Sequence, residues 1–184
     1  MRVRNSPQGY GAIAMALHWV VVVLVVGAWL TGQFGDEVPR GAAREAGLFA
    51  HVSLGLAVVV FVIARLFWRL SDPPPALEPS PLGAWGGRAS QAMHYLIYVA
   101  LIAVPIAGIV VQFARGHALP IFGLFEIASP WSADRAFAHD AKEVHEVVAN
   151  VTLTLIGLHA AAALAHHYVF RDRTLLRMLP VTRS

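Results

Sequence analysis

Charged residues in this 184-residue chain fall in clumps, and four long stretches between the clumps carry none. The first runs from Asn5 to Gly35, with its apolar part from Ile13 to Leu30. The others are Ala46 to Ala64, Ala89 to Ala114 and Val147 to Phe170. A helix needs roughly 20 apolar residues to cross about 30 Å of hydrocarbon, and all four stretches qualify. Isolated strands would leave their backbone groups unpaired in lipid. A soluble helical bundle is excluded by the run Val20-Val21-Val22-Val23-Leu24-Val25-Val26, which shows no polar face at the helical period. The pattern predicts an all-α integral membrane four-helix bundle, one domain over 1–184, with helices over about 10–32, 46–69, 89–114 and 143–170. No internal repeat is evident in the sequence.

Composition agrees with the pattern. Hydrophobic residues make up 57% of the chain and charged ones 14%, against about 25% charged in soluble domains. That excludes a disordered chain and makes a soluble enzyme a poor fit. There is no cysteine, so disulfides, iron–sulfur clusters, thiolate zinc sites and covalently attached haem are excluded. Arg2 and Arg4 before the first span resemble the start of a secretory signal. Trp29 at its end leaves no small-residue cleavage site, so this span is expected to be a retained helix.

Four spans place both ends of the chain on one side. Nine basic residues fall on that side and five on the other, which predicts cytoplasmic termini. The prolines between Ser71 and Arg88 (Pro73-Pro74-Pro75, Pro79, Pro81) predict a stiff cytoplasmic linker. Phe122, Phe125, Trp131 and Phe137, between Gly116 and Asp140 on the outer side, predict a segment lying on the membrane surface. Arg alternates with Leu and Met after Phe170, so the tail is expected on the inner interface. The composition points to membrane lipid as a partner and gives no sign of nucleic acid.

Nine histidines are unusual in so apolar a chain, and ionisable groups inside a membrane usually have a function. Orientation assigns each a depth. His18 opens the outward-running first helix and lies in the inner half. His51 opens the inward-running second helix and lies in the outer half. His145 is also at the outer side, and His159 follows 14 residues later on the same helix face, about 21 Å away. The result is two histidine pairs stacked in a bundle, His51 with His145 and His18 with His159. Two neutral imidazoles on opposite sides of a flat site are what six-coordinate haem iron needs. Gly55, Gly108, Gly157 and Ala160 to Ala163 would leave room for the macrocycle. Zinc wants about four ligands per site, and no carboxylate accompanies either pair. Single histidines that bond to a neighbouring helix are the plainer alternative, but four at two matched depths argue against it. His94, His166 and His167, near Tyr168, Asp172, Arg65 and Arg69, form a second group at the inner end. It reads either as a quinone site or as interfacial anchoring, and Arg65 is alternatively a partner for haem propionates. His117 and His139 read as surface residues. Pro105 is expected to kink the third helix and is given no chemistry.

These residues bring out a family likeness over nearly the whole chain. His18-Trp19, His51, Val62-Ile63-Ala64-Arg65-Leu66 and the prolines after it, His94 with Tyr98 and Pro105, and Trp131 all belong to it. The most specific stretch runs from His145-Glu146 through Gly157-Leu158-His159 and the alanines to His166-His167-Tyr168, followed by Asp172 and Thr174 to Met178. The chain resembles the bacterial cytochrome b561 family, small di-haem membrane cytochromes b, and within it the superoxide oxidases. The resemblance implies two non-covalent b haems held by His18, His51, His145 and His159. It implies electron uptake from superoxide at the periplasmic face of the inner membrane and delivery to ubiquinone, with His94 and His166 near the quinone. The outer segments carry five basic and eight acidic residues, so the average field there opposes an anion. Arg115, Arg135 or Lys142 would have to line the haem mouth. The alternative is an electron-transfer subunit that anchors a separate dehydrogenase or hydrogenase and works with a soluble redox partner. A haemless metal-ion transporter is a further rival.

Overall fold

The computed structural model describes residues 2–35, 37–78 and 83–179. Pro79 and Pro81 of the linker, and Asp36 and Arg183 among the charges counted on the two sides, lie outside them. Four long helices run in order: α1 (Ala12–Gln33), α2 (Ala42–Ser71), α3 (Gly83–Ala114) and α4 (Arg135–Tyr168). Each is long and apolar enough to cross a membrane. At 1.5 Å per residue α1 measures about 33 Å, one bilayer core, and α4 about 51 Å. The extra length of α4 explains why it begins well before the uncharged stretch. Its first turns carry polar residues whose pairs, His139 with Glu143 (3.5 Å) and Lys142 with Glu146 (3.1 Å), are spaced i,i+4 and support a helix in water. Asp134 starts it by accepting a hydrogen bond from the Phe137 N–H (3.0 Å).

Between α3 and α4 the chain forms a short antiparallel hairpin, β1 (Leu119–Ile121) with β2 (Phe125–Ile127). Phe122 (φ 53°) and Gly123 (φ 73°) make its turn, the positive-φ pair that hairpin twist favours. Part of the segment expected on the membrane surface is thus a hairpin, in which Leu119 is buried while β2 stays exposed. Trp131 stacks edge-on with Phe113 and Phe137 and ties the segment to the helix ends.

The other end of the bundle is bound together by polar contacts. The Asn5 backbone N–H donates to the Asp72 carboxylate (2.8 Å) and the Asn5 amide to the Asp72 carbonyl (2.9 Å). The tail after α4 packs against the first segment and the proline linker. It turns back at a 3₁₀ turn, η1 (Leu176–Met178), and Arg177 is buried there. Its guanidinium donates to the carbonyls of Ala76 (2.9 Å) and Pro7 (3.2 Å) and pairs with Glu78 (3.1 Å). Five donors on a planar fork can satisfy several carbonyls at once, which is why an arginine holds three segments here. The Trp19 indole N–H adds a bond to the Met178 carbonyl (2.8 Å).

Helices pack as two hairpins, α1 along α2 and α3 along α4. α2 and α3 touch less, and α1 and α4 scarcely meet. The apolar core is small, with Val21, Val58, Val62 and Leu101 at its centre. Apolar side chains over much of the surface face outward, as expected for helices bathed in lipid.

Candidate functional site

Seven residues are 20° short of two helical turns, so residues seven apart form a nearly straight stripe. One such stripe on each helix faces the bundle interior, and together they build three layers. Nearest the hairpin lie Gly32 (α1), His51 (α2), Gly108 (α3) and His145 (α4). The middle layer is Val25, Val58, Leu101 and Thr152. Nearest the termini lie His18, Arg65, His94 and His159. Val58 and Leu101 are core residues with Val25 packed against them, and Thr152 is buried.

The hairpin-end layer is closely fitted. The His51 and His145 rings are 6.1 Å apart between centroids and nearly perpendicular, at 85°. His51 Nδ1 donates to the Ala28 carbonyl (2.8 Å) and His145 Nδ1 to the Val104 carbonyl (3.0 Å). A carbonyl partner fixes the proton on Nδ1 and leaves the Nε2 lone pair free to bind a metal. Each ring lies on a glycine one turn past its carbonyl. A Cβ on Gly32 would come within 2.7 Å of His51 Cε1, and one on Gly108 within 3.2 Å of His145 Cε1. The two halves repeat the same device: carbonyl, glycine four residues on, histidine from the next helix. This is an internal repeat that the sequence conceals, because it resides in so few positions.

The termini-end layer lacks that symmetry. His18 and His159 stand 6.5 Å apart at 75°. His94 adds a third ring, 5.1 Å from His159, with its Nδ1 bonded to the Ser90 carbonyl (2.6 Å). Two imidazoles that share an iron through their nitrogens have centroids about 6.3 Å apart, given metal–nitrogen bonds of about 2.0 Å. The pairs at 6.1 and 6.5 Å fit that spacing. His94 and His159 are too close for an ion between them and make an edge contact instead. Arg65 Nε donates to the Tyr98 hydroxyl (2.9 Å).

His166 continues the α4 stripe one step past His159, about 10.5 Å on. Its Nδ1 pairs with Asp172, whose other oxygen accepts the Thr174 N–H (2.8 Å). Partial burial pushes the Asp172 carboxyl up, but the hydrogen bonds from His166 and Thr174 outweigh it and hold the group below the usual carboxylate range. His167 and Tyr168 meet edge to face, with Tyr168 exposed. Among the expected space-makers, Gly108 is a seat for His145, while a Cβ on Gly55 or Gly157 would meet open space. Gly32, Thr152, Asp72 and Arg177 were not singled out from sequence for these roles. Gly32 was within reach, since it lies 14 residues from His18 and at the depth of His51.

A sequence model of prokaryotic cytochrome b561 matches residues 9–181. "Probable superoxide oxidase CybB" of Yersinia pestis is 36% identical over 95% of this chain and 98% of its own. "Cytochrome b561 homolog 2" of Escherichia coli (strain K12) is 31% identical over 100% of this chain and 98% of its own. "Cytochrome b562" of Cereibacter sphaeroides is 28% identical over 93% and 95%. Four membrane-crossing helices with histidines stacked between them, and a match over nearly the whole length, make this chain a member of the prokaryotic cytochrome b561 family.

Proposed function

We propose that this chain is a di-haem cytochrome b that oxidises superoxide at its hairpin end and reduces ubiquinone near its termini end. Family membership makes it a haem-b electron-transport protein of the bacterial inner membrane, crossing it several times. The finer reading rests on one observation: two histidine pairs with ring separations of 6.1 and 6.5 Å, set 14 residues apart along α4. His51 and His145 would hold one haem and His18 and His159 the other. The haem irons would supply a one-electron relay between the two ends. The Ala28 and Val104 carbonyls keep His51 and His145 in the tautomer that ligation requires. The excess of basic residues at the termini end supports cytoplasmic termini and a periplasmic hairpin.

In the overall reaction two superoxide ions lose one electron each and leave as dioxygen. One ubiquinone takes up the two electrons and two protons. His94 and His166 are the candidate groups on the quinone side, where protons arrive from the cytoplasm. The relative named as a probable superoxide oxidase supports superoxide as donor.

A second reading, a subunit passing electrons to or from a separate dehydrogenase or hydrogenase, is favoured by one feature. Leu124 (80% exposed), Phe125 and Ile127 project from the hairpin as an apolar surface on which a soluble redox partner can dock.

Optical spectra of the purified, oxidised protein test both. Superoxide should reduce the haem bands, superoxide dismutase should abolish the reduction, and ubiquinone should reverse it. Haem bands that ignore superoxide would turn the assignment to the second reading. Absence of haem bands would end both.

A further inference from the structure

The termini end of the bundle contains a shallow cleft that opens to the surroundings. Arg65, Trp68 and Arg69 of α2 form one side, with Tyr98 of α3 and Asn5 and Tyr10 of the first segment around them. Its polar groups are mostly donors left without acceptors. Arg65 spends Nε on the Tyr98 hydroxyl, and its ring-stacked guanidinium keeps its terminal nitrogens free of hydrogen bonds among the described residues. Arg69 makes no hydrogen bond or ion pair among the described residues. The Trp68 indole N–H is buried with no partner there. Asp72 is the acid at the cleft, and one of its oxygens already accepts the Asn5 N–H.

Guanidiniums at this depth are costly without a counter-ion. Asp72 is the one acid lining the cleft and pairs with neither arginine among the described residues, so a ligand would supply the counter-charge that two guanidiniums still lack. An oxyanion matches the site: two cations on successive turns of α2 with an indole donor between them. Position chooses among oxyanions. Arg65 shares the termini-end layer with His18, His94 and His159, and Arg69 follows one turn along α2. The cleft therefore adjoins the termini-end histidines rather than an outer lipid-facing surface.

We propose that this cleft is a carboxylate site, in which Arg69, Arg65 and the Trp68 N–H bind the propionates of the haem held by His18 and His159. The inference rests on the di-haem reading. It adds Arg69 and Trp68 as positioning residues, which act on the haem through its carboxylates and not through its iron. An anionic lipid phosphate has the same chemistry and is the competing source.

The test uses the full-length holoprotein in nanodiscs. Arg69→Gln and Trp68→Phe are compared with wild type by haem content, redox titration and redox-difference infrared spectra, with ¹³C-labelled haem propionate carboxyls. Loss of a cation beside the haem disfavours its reduction. Arg69→Gln should shift the termini-end haem about tenfold toward the oxidised form, equivalent to about 59 mV for one electron. The hairpin-end haem should stay in place, Arg69→Lys should recover most of the shift, and Trp68→Phe should give a smaller shift of the same sign. The labelled carboxylate bands should move in both Arg69→Gln and Trp68→Phe. Two full haems with unmoved potentials and bands would overturn the proposal. So would unmoved labelled bands with a potential shift that requires phosphatidylglycerol in the nanodisc, which would assign the cleft to lipid. A wild-type preparation without haem would overturn the di-haem reading itself.

Discussion

The two histidine layers solve one geometric problem in different ways. At the hairpin end, each ring is fixed on three sides, by a carbonyl, a glycine seat and the opposing ring. At the termini end, His18 and His159 are positioned by other rings, and His94 and Arg65 stand in the places that glycines and a second stripe histidine would symmetrically occupy. A fixed layer holds a cofactor in one pose. A layer surrounded by titratable and cationic groups can also meet a substrate that carries protons. Under the proposed function, the hairpin-end layer would pass electrons alone and the termini-end layer would also meet protons.

The most disruptive way to break that comparison is to remove one ligand from each layer. His51→Ala and His159→Ala should each reduce haem content from two per chain to about one, measured as pyridine haemochrome, with the remaining band differing between the variants. Full occupancy in His51→Ala would remove this residue from the ligand set. A subtler change tests the glycine seat alone. Gly32→Val would drive a side chain into His51, because even a Cβ comes within 2.7 Å of its ring. The hairpin-end haem should be weakened or lost while the other keeps its spectrum. Equal damage to both layers would show that the seat acts on the whole bundle.

The clasp below the termini-end layer sets the next scale. Arg177→Met removes an ion pair and two charged hydrogen bonds, and should cost about 2 kcal/mol in stability against denaturant. Both haems should remain at neutral pH. A stability equal to wild type would mean that water replaces the clasp without loss.

Acid should act on the same end. Asp172 is held below the usual carboxylate range, so its folded pKa is lower than its unfolded one. The stability it contributes is present above the unfolded value and is lost as pH falls through the folded one. Thermal melts from neutral pH downward should show this loss begin below about pH 4, and Asp172→Asn should lose that increment at neutral pH. Identical acid profiles would remove Asp172 as its source. The smallest effect is expected at the hairpin rim. Neutralising Arg115, one stripe step beyond Gly108, should slow superoxide oxidation a few-fold and flatten its salt dependence. Rates and salt slopes equal to wild type would exclude Arg115 from guiding the anion.

Much of this was legible in the sequence, and what escaped has a physical explanation. Charge-free stretches mark where hydrocarbon surrounds the chain, so they located all four helices but not their ends. Arg135 to Lys142 belong to α4 because a helix continues into water wherever i,i+4 pairs support it. The depth of each histidine followed from helix direction alone, and His51 with His145 and His18 with His159 do face each other. Depth does not show which partner a side chain chooses. His166 shares a stripe with His159, yet it bonds to Asp172 across the helix end. Arg177 looked like an interfacial cation, since burial of an arginine depends on carbonyls from segments far away in sequence. A glycine alone does not show what fills the space it leaves: Gly108, expected to make room for a macrocycle, instead seats the His145 imidazole, as Gly32 does that of His51.

The middle layer of Val25, Val58, Leu101 and Thr152 has an electrical meaning. A proton moves by hopping along a chain of hydrogen-bonded groups, and this layer offers one hydroxyl. Thr152 Oγ1 already donates to its own helix at Val148 (2.7 Å), so the relay stops there. An electron needs no such chain. With haems on either side, as proposed, the layer would act as a septum that insulates against protons while electrons pass. Each electron crossing it would then move unaccompanied through part of the membrane voltage, which is worth about 2.3 kcal/mol per charge per 100 mV over the full thickness.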